Sequence, residues 1–327
     1  MALTHRTLEA RIAIAERGVP MPEAPRQVCL GSLSGYGILS ALRVLAAGGA
    51  LVFPATRDGV ADAIERGRAD RIALMPWSVR KLVDARTPAD GPFPTLRQLE
   101  VGGERLPASL HALARERLCA EIWSVYGATE SGTLAVGRLD SLDAANGEVG
   151  DAVPGIEIAA FDEAGARLPD GGVGVLRTRG PGNVASYLGD EALSRATFDD
   201  GWFATGDLGS VVGRRVSVTA RVAEVFNLGG IKLAFGAIED AARTIDSVSD
   251  VAAFAAPAEN GIVHVGLAVV ARAPLDAPTI RAAFVERLPG FVPNVVLAVD
   301  ELPRGAGGKV RRDALGALAA ARGFGAG

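Results

Sequence analysis

Three short segments of the sequence each place a charged residue in or beside a turn that contains glycine. They are Tyr126–Glu130 (YGATE), Thr205–Asp207 (TGD) and Pro303–Lys309 (PRGAGGK). Glycine lets the backbone approach a ligand closely, and loops on a rigid scaffold carry many functional side chains. One carboxylate near a metal, a second near sugar hydroxyls and a lysine near developing negative charge would suit nucleotide-linked chemistry.

The first segment follows a predicted strand, at the strand end where open α/β sheets place ligands. Thr129 could donate a hydrogen bond to a phosphate, and Glu130 could hold Mg²⁺. A polar turn without any function fits these residues equally well, because turns are generally polar.

The other two segments also allow two interpretations each. Asp207 could accept hydrogen bonds from two ribose hydroxyls, or Thr205–Asp207 could be an ordinary hairpin turn between two strands. Lys309 could stabilise a carboxylate or a phosphate from a flexible loop, or Pro303–Lys309 could be a solvated basic loop.

The elements that must position these segments change in type along the chain. Residues 1–140 alternate between strands and helices, which predicts an α/β layer with a mainly parallel sheet. Residues 141–221 form short strand-like runs broken by Gly, Pro and Asp, which predicts a small β-rich subdomain. Residues 222–327 mix helices and strands, which predicts a compact α+β domain.

The individual elements follow from the spacing of apolar residues and from helix caps. The predicted helices lie at 1–17 (with Thr4 as N-cap), 38–47, 60–66, 78–84, 108–118, 237–245 and 277–287, and the tail after Leu315 is expected to be helical. The predicted strands lie at 28–33, 50–53, 71–75, 96–101, 121–125, 153–161, 173–179, 201–204, 210–219, 251–256 and 263–270.

The composition is that of a globular protein and narrows the functional classes. Of the 327 residues, 49% are hydrophobic and 22% are charged, which argues against disorder. A net charge of −4 gives no case for nucleic acid or an anionic membrane as the main partner.

Cys29 and Cys119 are the only cysteines, so we expect no disulfide framework and a reducing compartment. The charged start and the short apolar runs predict a cytoplasmic protein without a signal peptide or a membrane span.

Taken together, in this order and spacing, the three segments resemble the adenylate-forming superfamily. Its members include acyl- and aryl-CoA ligases, peptide-synthetase adenylation domains and luciferases. Other stretches strengthen the resemblance, which covers essentially the whole chain: 174–180 (GVLRTRG), 186–188 (SYL), 201–207 (GWFATGD), 221–239 (RVAEVFNLGGIKLAFGAIE) and 288–293 (LPGFVP). It implies the back portion of the adenylating large domain, with a parallel α/β layer (1–140) and a β-rich subdomain (141–221). A small mobile α+β C-terminal domain (222–327) would follow.

The resemblance also implies roles for individual residues. Thr129 and Glu130 would contact the adenylate phosphate and Mg²⁺, and Lys309 would promote adenylation. The nucleotide would be bound by six residues: Tyr126, Gly127, Asp207, Arg221, Gly229 and Gly230. By their position relative to the motifs, five residues would line the acid pocket: Tyr36, Trp77, Gly102, Gly103 and Val125.

The sequence also departs from the family pattern. Residues 1–6 look like the stretch just after the Ser/Thr/Gly-rich phosphate loop, so we expect that loop to be missing. The usual hinge Asp or Lys is Ala223, and a lysine often found four positions later is Asn227. Tyr36 occupies the approximate place of the aspartate that anchors an α-amino group, which argues against an amino-acid substrate.

Three hypotheses about function follow. The favoured one is an enzyme that moves an acyl or aryl group between CoA and a carrier protein without ATP, because thioester exchange needs no triphosphate. The second is an ATP-dependent acid–CoA or acid–carrier-protein ligase whose front segment is truncated or supplied by another chain. The third is a non-catalytic protein that binds CoA or a carrier protein.

The expected cofactors are therefore a CoA thioester, with AMP or ATP and Mg²⁺ as further candidates. An acyl or peptidyl carrier protein and a second copy of the chain are candidate partners.

Overall fold

A computed structural model of the chain describes residues 1–30, 35–56, 59–228, 231–256, 264–288, 291–305 and 308–323. The chain divides into two units, Met1–Thr219 and Ala220–Gly327. The domain boundaries predicted at residues 140 and 221 stay predictions.

The first part of the first unit alternates between helices and strands. Its elements are α1 (His5–Gly18), β1 (Arg26–Val28), α2 (Gly35–Ala46), β2 (Ala50–Val52), α3 (Val60–Gly67), β3 (Arg71–Leu74), α4 (Pro76–Asp84), β4 (Gln98–Gly102), α5 (Ala108–Arg117) and β5 (Glu121–Ala128). The strands pair in parallel in the order β2-β1-β3-β4-β5. Every residue of β4 is buried, as expected for a central strand covered on both faces.

The second part of this unit extends the same sheet with antiparallel strands. Its elements are β6 (Gly132–Arg138), β7 (Glu148–Ala152), β8 (Glu157–Phe161), β9 (Gly174–Arg179), α6 (Glu191–Thr197), β10 (Phe198–Asp199), β11 (Trp202–Val212) and β12 (Arg215–Arg221). The strand order continues β5-β6-β7-β12-β11-β9-β8, with β10 paired to β11. The described residues thus form one 12-stranded mixed sheet.

The second unit is a smaller α+β structure. Its elements are β13 (Val225–Leu228), β14 (Ile231–Ala234), α7 (Phe235–Ala242), β15 (Val248–Ala256), β16 (His264–Ala271), α8 (Ala277–Arg287), β17 (Val295–Ala298) and α9 (Arg312–Ala321). β13 and β14 form a two-stranded sheet, and β15-β16-β17 form a three-stranded one. α7 and α8 pack on one apolar cluster around β15 and β16, and α9 packs on a second.

The predicted fold class is confirmed. The structure differs at the ends of several elements and adds others that were not predicted, among them β6, β7, α6, β13, β14 and β17. Thr4 caps α1 as predicted, accepting a hydrogen bond from the Thr7 backbone N–H at 3.1 Å. The strand predicted at 28–33 instead ends at Val28 and begins at Arg26, and residues 31–33 of that prediction lie outside the described residues. The two strands predicted at 201–204 and 210–219 have the wrong bounds. β11 runs through residues 205–209, and the next strand, β12, begins at Arg215. Within the described part of the chain, no helix combines the length and apolar character needed to cross a bilayer.

Close packing between β15 and β16 gives a first testable prediction. A Cβ added to Gly266 would overlap the ring of Phe254, which is fully buried. Overpacking of this kind costs about 1–3 kcal/mol, so we expect Gly266→Ala to destabilise the second unit by that amount. Gly236→Ala is the matched control, because a Cβ on this exposed residue of α7 meets nothing within 4 Å. Alanine in a helix is favoured over glycine by about 0.5–1 kcal/mol, so the control should stabilise.

The effect of Gly266→Ala on the second unit can be measured separately from the stability of the first unit. The three tryptophans, Trp77, Trp123 and Trp202, all lie in the first unit. Hydrogen exchange of the β15 and β16 amides should therefore accelerate in Gly266→Ala while the tryptophan fluorescence transition stays in place. Unchanged exchange in Gly266→Ala would contradict the predicted clash.

Candidate functional site

The first predicted motif lies at the tip of a hairpin. β5 and β6 pair antiparallel through Ala128 and Gly132, which leaves Thr129, Glu130 and Ser131 as the connection. The strand therefore runs three residues further than predicted, and only Thr129 and Glu130 of the motif lie in the turn. A Cβ on Gly127 would overlap the carbonyl oxygen of Gly132, so the hairpin needs glycine at this position.

The Glu130 carboxylate is held by a tyrosine. The Tyr187 hydroxyl donates a hydrogen bond to Glu130 Oε1 at 2.8 Å. Burial and this hydrogen bond raise the pKa of Tyr187 to about 12, so its hydroxyl keeps its proton at neutral pH. The Tyr187 ring packs against Phe198, with 5.3 Å between ring centroids. The orientation of the Glu130 carboxylate is therefore fixed by a side chain that is itself packed.

An arginine from α1 fixes the same hairpin tip from another side. Arg11 is buried, and its Nη1 and Nε donate hydrogen bonds to the carbonyl oxygens of Thr129 (3.0 Å) and Gly182 (2.8 Å). Burial lowers the pKa of Arg11, and the negative charge of Glu130 opposes this shift. The Val184 backbone N–H also donates to the Glu130 carbonyl oxygen at 2.8 Å. α1 and the segment 184–187 thus both contact the Thr129–Glu130 turn.

Asp207, the second carboxylate, is also held by a tyrosine. It is 5% exposed, and its Oδ2 accepts a hydrogen bond from the Tyr126 hydroxyl at 2.7 Å. Tyr126 belongs to β5 and Asp207 to β11, with β6, β7 and β12 between them in the strand order. The antiparallel part of the sheet must therefore curve until these two strands approach each other.

Asp207 lies at an irregular point of β11, not in a hairpin turn. The pairing of β11 with β9 shifts between Ala204 and Leu208, and Gly206 has a φ of +75°. The Thr205 hydroxyl donates to the Leu176 carbonyl oxygen at 2.9 Å and accepts from the Asp207 backbone N–H at 3.1 Å. The hairpin-turn interpretation is therefore wrong. A Cβ on Gly206 would meet nothing within 4 Å, so open space adjoins the irregularity.

The remaining nucleotide and catalytic candidates lie around the start of the second unit and near the end of the chain. Arg221 is exposed at the end of β12. Lys309 is exposed on a loop closed by three backbone hydrogen bonds and by Arg304, which donates to the Gly308 carbonyl oxygen (2.8 Å) and Asp250 (2.7 Å). Gly229 and Gly230 lie outside the described residues.

Two of the residues predicted to line the acid pocket, Gly102 and Gly103, lie at the carboxyl end of β4. A Cβ on Gly102 would lie 3.0 Å from the Val125 carbonyl oxygen and 3.9 Å from Tyr36 Cζ, so these three residues adjoin one another. Gly103 has a φ of +87°, and a Cβ there would lie 3.1 Å from Met75 Cε, at the end of β3. Trp77 lies in the first turn of α4, with Lys81 Nζ 4.2 Å from its ring centroid.

The site fits a metal ion carried by a phosphate better than one bound by protein alone. Among the described residues, no group of three or more His, Cys, Asp and Glu side chains could hold a metal. Glu130 is half-buried, and only its Oε1 is bonded to Tyr187. Magnesium is commonly held by one or two carboxylates together with substrate phosphates and water, so one carboxylate at this position fits a metal–nucleotide complex.

Sequence reasoning missed Arg11 and Tyr187, which hold the Thr129–Glu130 turn in place. Tyr126, which bonds Asp207, was among the predicted nucleotide-binding residues. Arg11 lies 118 residues from Thr129, and neither its type nor its spacing marks it. Tyr187 lies in the SYL stretch that strengthened the resemblance, so that stretch could have drawn attention to it. A buried pair, Arg71 in β3 and Glu100 in β4, also lies in the alternating α/β layer, and no sequence pattern marks it.

The chain is a member of the AMP-binding enzyme family. The family model described as "AMP-binding enzyme" matches residues 2–188, more than half of the chain, so the chain belongs to this family and the resemblance is confirmed. The medium/long-chain fatty acid–acyl-carrier-protein ligase FadD10 of Mycobacterium tuberculosis is 31% identical over 76% of this chain and 49% of its own length. The indoleacetate–CoA ligase of Aromatoleum aromaticum is 30% identical over 82% of this chain and 53% of its own length.

A solved structure has a fold similar to that of this chain. The amide bond synthetase McbA from Marinactinospora thermotolerans superposes with a TM-score of 0.85 at 25% identity, covering 96% of this chain and 66% of that one. The chain spans about half the length of the curated relatives that it matches.

Proposed function

We propose that this chain carries the acyl-adenylate site of an ATP-dependent ligase that joins a carboxylic acid to the thiol of CoA or of a carrier protein. The observation that carries the proposal is the pair of carboxylates, Glu130 and Asp207, each held by a tyrosine hydroxyl at 2.8 or 2.7 Å. Two fixed acceptors beside glycine-containing backbone suit a ligand with a phosphate-bound metal at one end and sugar hydroxyls at the other.

In this proposal each residue binds a different part of the nucleotide. Asp207 accepts hydrogen bonds from the ribose, with Arg221, Tyr126 and Gly127 contributing to nucleotide binding. Thr129 donates to the α-phosphate. Mg²⁺, when bound at Glu130, neutralises charge on the phosphates.

The proposed reaction has two steps. The substrate carboxylate attacks the α-phosphorus of ATP, the bond to pyrophosphate breaks, and acyl-AMP forms. Lys309 stabilises the negative charge that develops in this step. The thiol sulfur then attacks the acyl carbon, its proton passes to water, and the acyl–oxygen bond breaks to release AMP.

The relatives favour ligation over transfer without ATP. FadD10 and the indoleacetate enzyme are both named as ligases, one with a carrier protein and one with CoA as acceptor. Transfer without ATP gains no support from them and remains an alternative outcome of the assay, as does a non-catalytic binding protein. A homodimer likewise remains only a prediction.

The test is intact-mass detection of thioester on CoA and on a carrier protein, from a panel of acyl and aryl acids. Thioester that forms with ATP·Mg²⁺, or from a supplied acyl-AMP, supports the proposal. Thioester that forms only from acyl-CoA donors without ATP would replace it with the transfer hypothesis. Tight CoA binding without thioester in any arm would favour the binding protein.

The Tyr187–Glu130 contact gives a second prediction. Removing the hydroxyl in Tyr187→Phe leaves Glu130 free to turn, and loss of a partner that orients a metal ligand typically lowers metal affinity by about 10–100-fold. We therefore expect ATP binding by Tyr187→Phe to need at least about 10-fold more Mg²⁺, measured by calorimetry at increasing Mg²⁺. Tyr126→Phe is the control, since its hydroxyl contacts Asp207 and should leave the Mg²⁺ dependence unchanged. The same Mg²⁺ dependence in both variants and the parent would contradict the assignment.

A further inference from the structure

We propose that the first unit carries a further ligand site, a cleft that binds a phosphate monoester with a compact apolar or aromatic body. The cleft has a volume of about 400 Å³, and small-molecule pockets commonly have volumes of about 300–1,000 Å³. None of the described residues that line it is among those predicted to bind the nucleotide or the acid. The cleft can therefore bind its ligand whether or not the proposed function holds.

The cleft lies at the end of the β5–β6 hairpin opposite Glu130. Trp123 of β5 pairs with Arg138 of β6, and both residues line the cleft. At the tip of the hairpin, Ala128 pairs with Gly132. From residue 123 to residue 128 is a step of five residues, or about 17 Å at about 3.4 Å per residue. A ligand in the cleft would therefore not occupy the turn that holds Glu130.

Positive charge dominates the lining of the cleft. Its charged residues are Arg17, Arg138, Arg214, Arg215 and one carboxylate, Asp151. Arg138 pairs with Asp140 at 3.4 Å. Arg215 pairs with Asp151 at 3.0 Å and with Glu148 at 3.1 Å. These carboxylates neutralise two of the four arginines and leave the other two.

Arg17 and Arg214 have no carboxylate partner in the described part of the chain. Arg17 Nε donates to the Pro154 carbonyl oxygen at 3.0 Å. Arg214 Nε and Nη2 donate to the Ala152 carbonyl oxygen at 3.2 and 2.7 Å. A guanidinium has five N–H donors, so both side chains are held in place and keep donors for a ligand. Arginine donors of this kind match phosphate oxygens, which can accept two parallel N–H bonds.

The cleft also offers an apolar wall that inorganic phosphate alone would not cover. Trp123, Val136, Val153 and Pro154 contribute to its lining. The Trp123 indole is half-buried, and its Nε1 donates to Glu121 Oε1 at 2.7 Å, which fixes the ring. A fixed aromatic side chain beside uncompensated arginines suits a phosphate that is attached to a flat or apolar body.

The experiment locates the ligand with protein that contains 5-fluorotryptophan. Its three fluorine resonances report Trp77, Trp123 and Trp202, and each is assigned by replacing one tryptophan with phenylalanine. We expect 1-naphthyl phosphate to shift the Trp123 resonance saturably and to leave that of Trp77, a residue predicted for the acid pocket, in place. AMP carries the same phosphate on a nucleoside. A Trp123 shift at lower concentrations of AMP than of 1-naphthyl phosphate would identify the ligand as a nucleotide, and the reverse order would identify another aromatic phosphate.

Charge variants test the role of the arginines. Arg17→Ala and Arg214→Ala should each weaken the binding of 1-naphthyl phosphate by at least about 10-fold, because each removes hydrogen bonds between charged groups. 1-Naphthol, which lacks the phosphate, should bind the parent protein more weakly by at least the same factor. Arg66→Ala is the matched control, since Arg66 is 82% exposed on α3 and its loss changes the net charge equally. Its affinity should stay within about 2-fold of the parent, because distant exposed charges are screened.

Several outcomes would overturn the site. One is the absence of a saturable Trp123 shift, and another is a shift of the Trp77 resonance alone, which would place the ligand elsewhere. Unchanged affinity in Arg17→Ala and Arg214→Ala, or an equal loss in Arg66→Ala, would exclude a specific role for the two arginines. Inorganic phosphate that binds as tightly as 1-naphthyl phosphate would contradict the contribution of the apolar wall.

Discussion

Arg71→Met is expected to destabilise the first unit by about 3–5 kcal/mol, the largest stability effect that we predict, because it leaves a buried carboxylate without its main partner. Arg71 and Glu100 are both fully buried, and Arg71 also bonds Gln27 and Gln98. Methionine fills much of the same volume, so the lost stability would come from the weaker pairing of Glu100, which keeps only Arg43 at 3.5 Å as a charged partner, rather than from a cavity. Urea unfolding followed by tryptophan fluorescence measures it, since every tryptophan lies in the first unit.

Arg66→Met is the matched control. Arg66 pairs with Asp62 on the surface of α3, where their side chains are 82% and 55% exposed. Exposed pairs contribute about 0–1 kcal/mol, so the control should unfold almost like the parent protein. Equal losses in the two variants would show that burial of the Arg71–Glu100 pair has no special energetic role.

Lys309→Ala is expected to slow formation of acyl-AMP from ATP and acid by about 10²–10³-fold, the usual cost of removing one group that stabilises transition-state charge. The same variant should convert a supplied acyl-AMP into thioester at a rate within about 3-fold of the parent, since the proposed role of Lys309 is confined to charge developing on phosphate. Quenched-flow mass spectrometry of the two half-reactions separates these effects.

Arg311→Ala controls for the general loss of a basic side chain from this loop. Arg311 is exposed and pairs with Asp313 at 3.1 Å. Its replacement should leave both half-reactions close to the parent rates. A Lys309→Ala variant that is slowed equally in both half-reactions would indicate a structural defect of the loop, contrary to the proposed role.

Much of the fold was predictable because the hydrophobic periods are clear. The alternation of short apolar runs with helical spacing up to β5 predicted the parallel layer, and Thr4 predicted the start of α1. The path of β11 was not predictable from local pattern, because Gly206 and Asp207 are typical turn residues. Pairing with β9 on both sides of the irregularity keeps this segment in the sheet.

The sequence motifs indicate candidate site residues but not all of the residues that hold them in place. Thr129, Glu130 and Asp207 stay predictions, and they are indicated because short motifs with glycine carry a local signal. Arg11 and Tyr187 act through contacts over 118 and 57 residues of sequence, and such contacts leave no local pattern. The buried Arg71–Glu100 pair likewise joins two strands, β3 and β4, that only folding brings together.

The measurement that tests the central claim most directly is a calorimetric titration of acyl-sulfamoyl adenosines and their 2′,3′-dideoxyribose counterparts. We predict that the parent protein binds the ribose form at least about 10-fold more tightly, since hydrogen bonds to a charged group are worth about 1.5–3 kcal/mol. In Asp207→Asn, which keeps an acceptor for Tyr126 but removes the charge, this difference should shrink several-fold. Equal affinity for the ribose and dideoxyribose forms in the parent protein would contradict an adenylate site at Asp207.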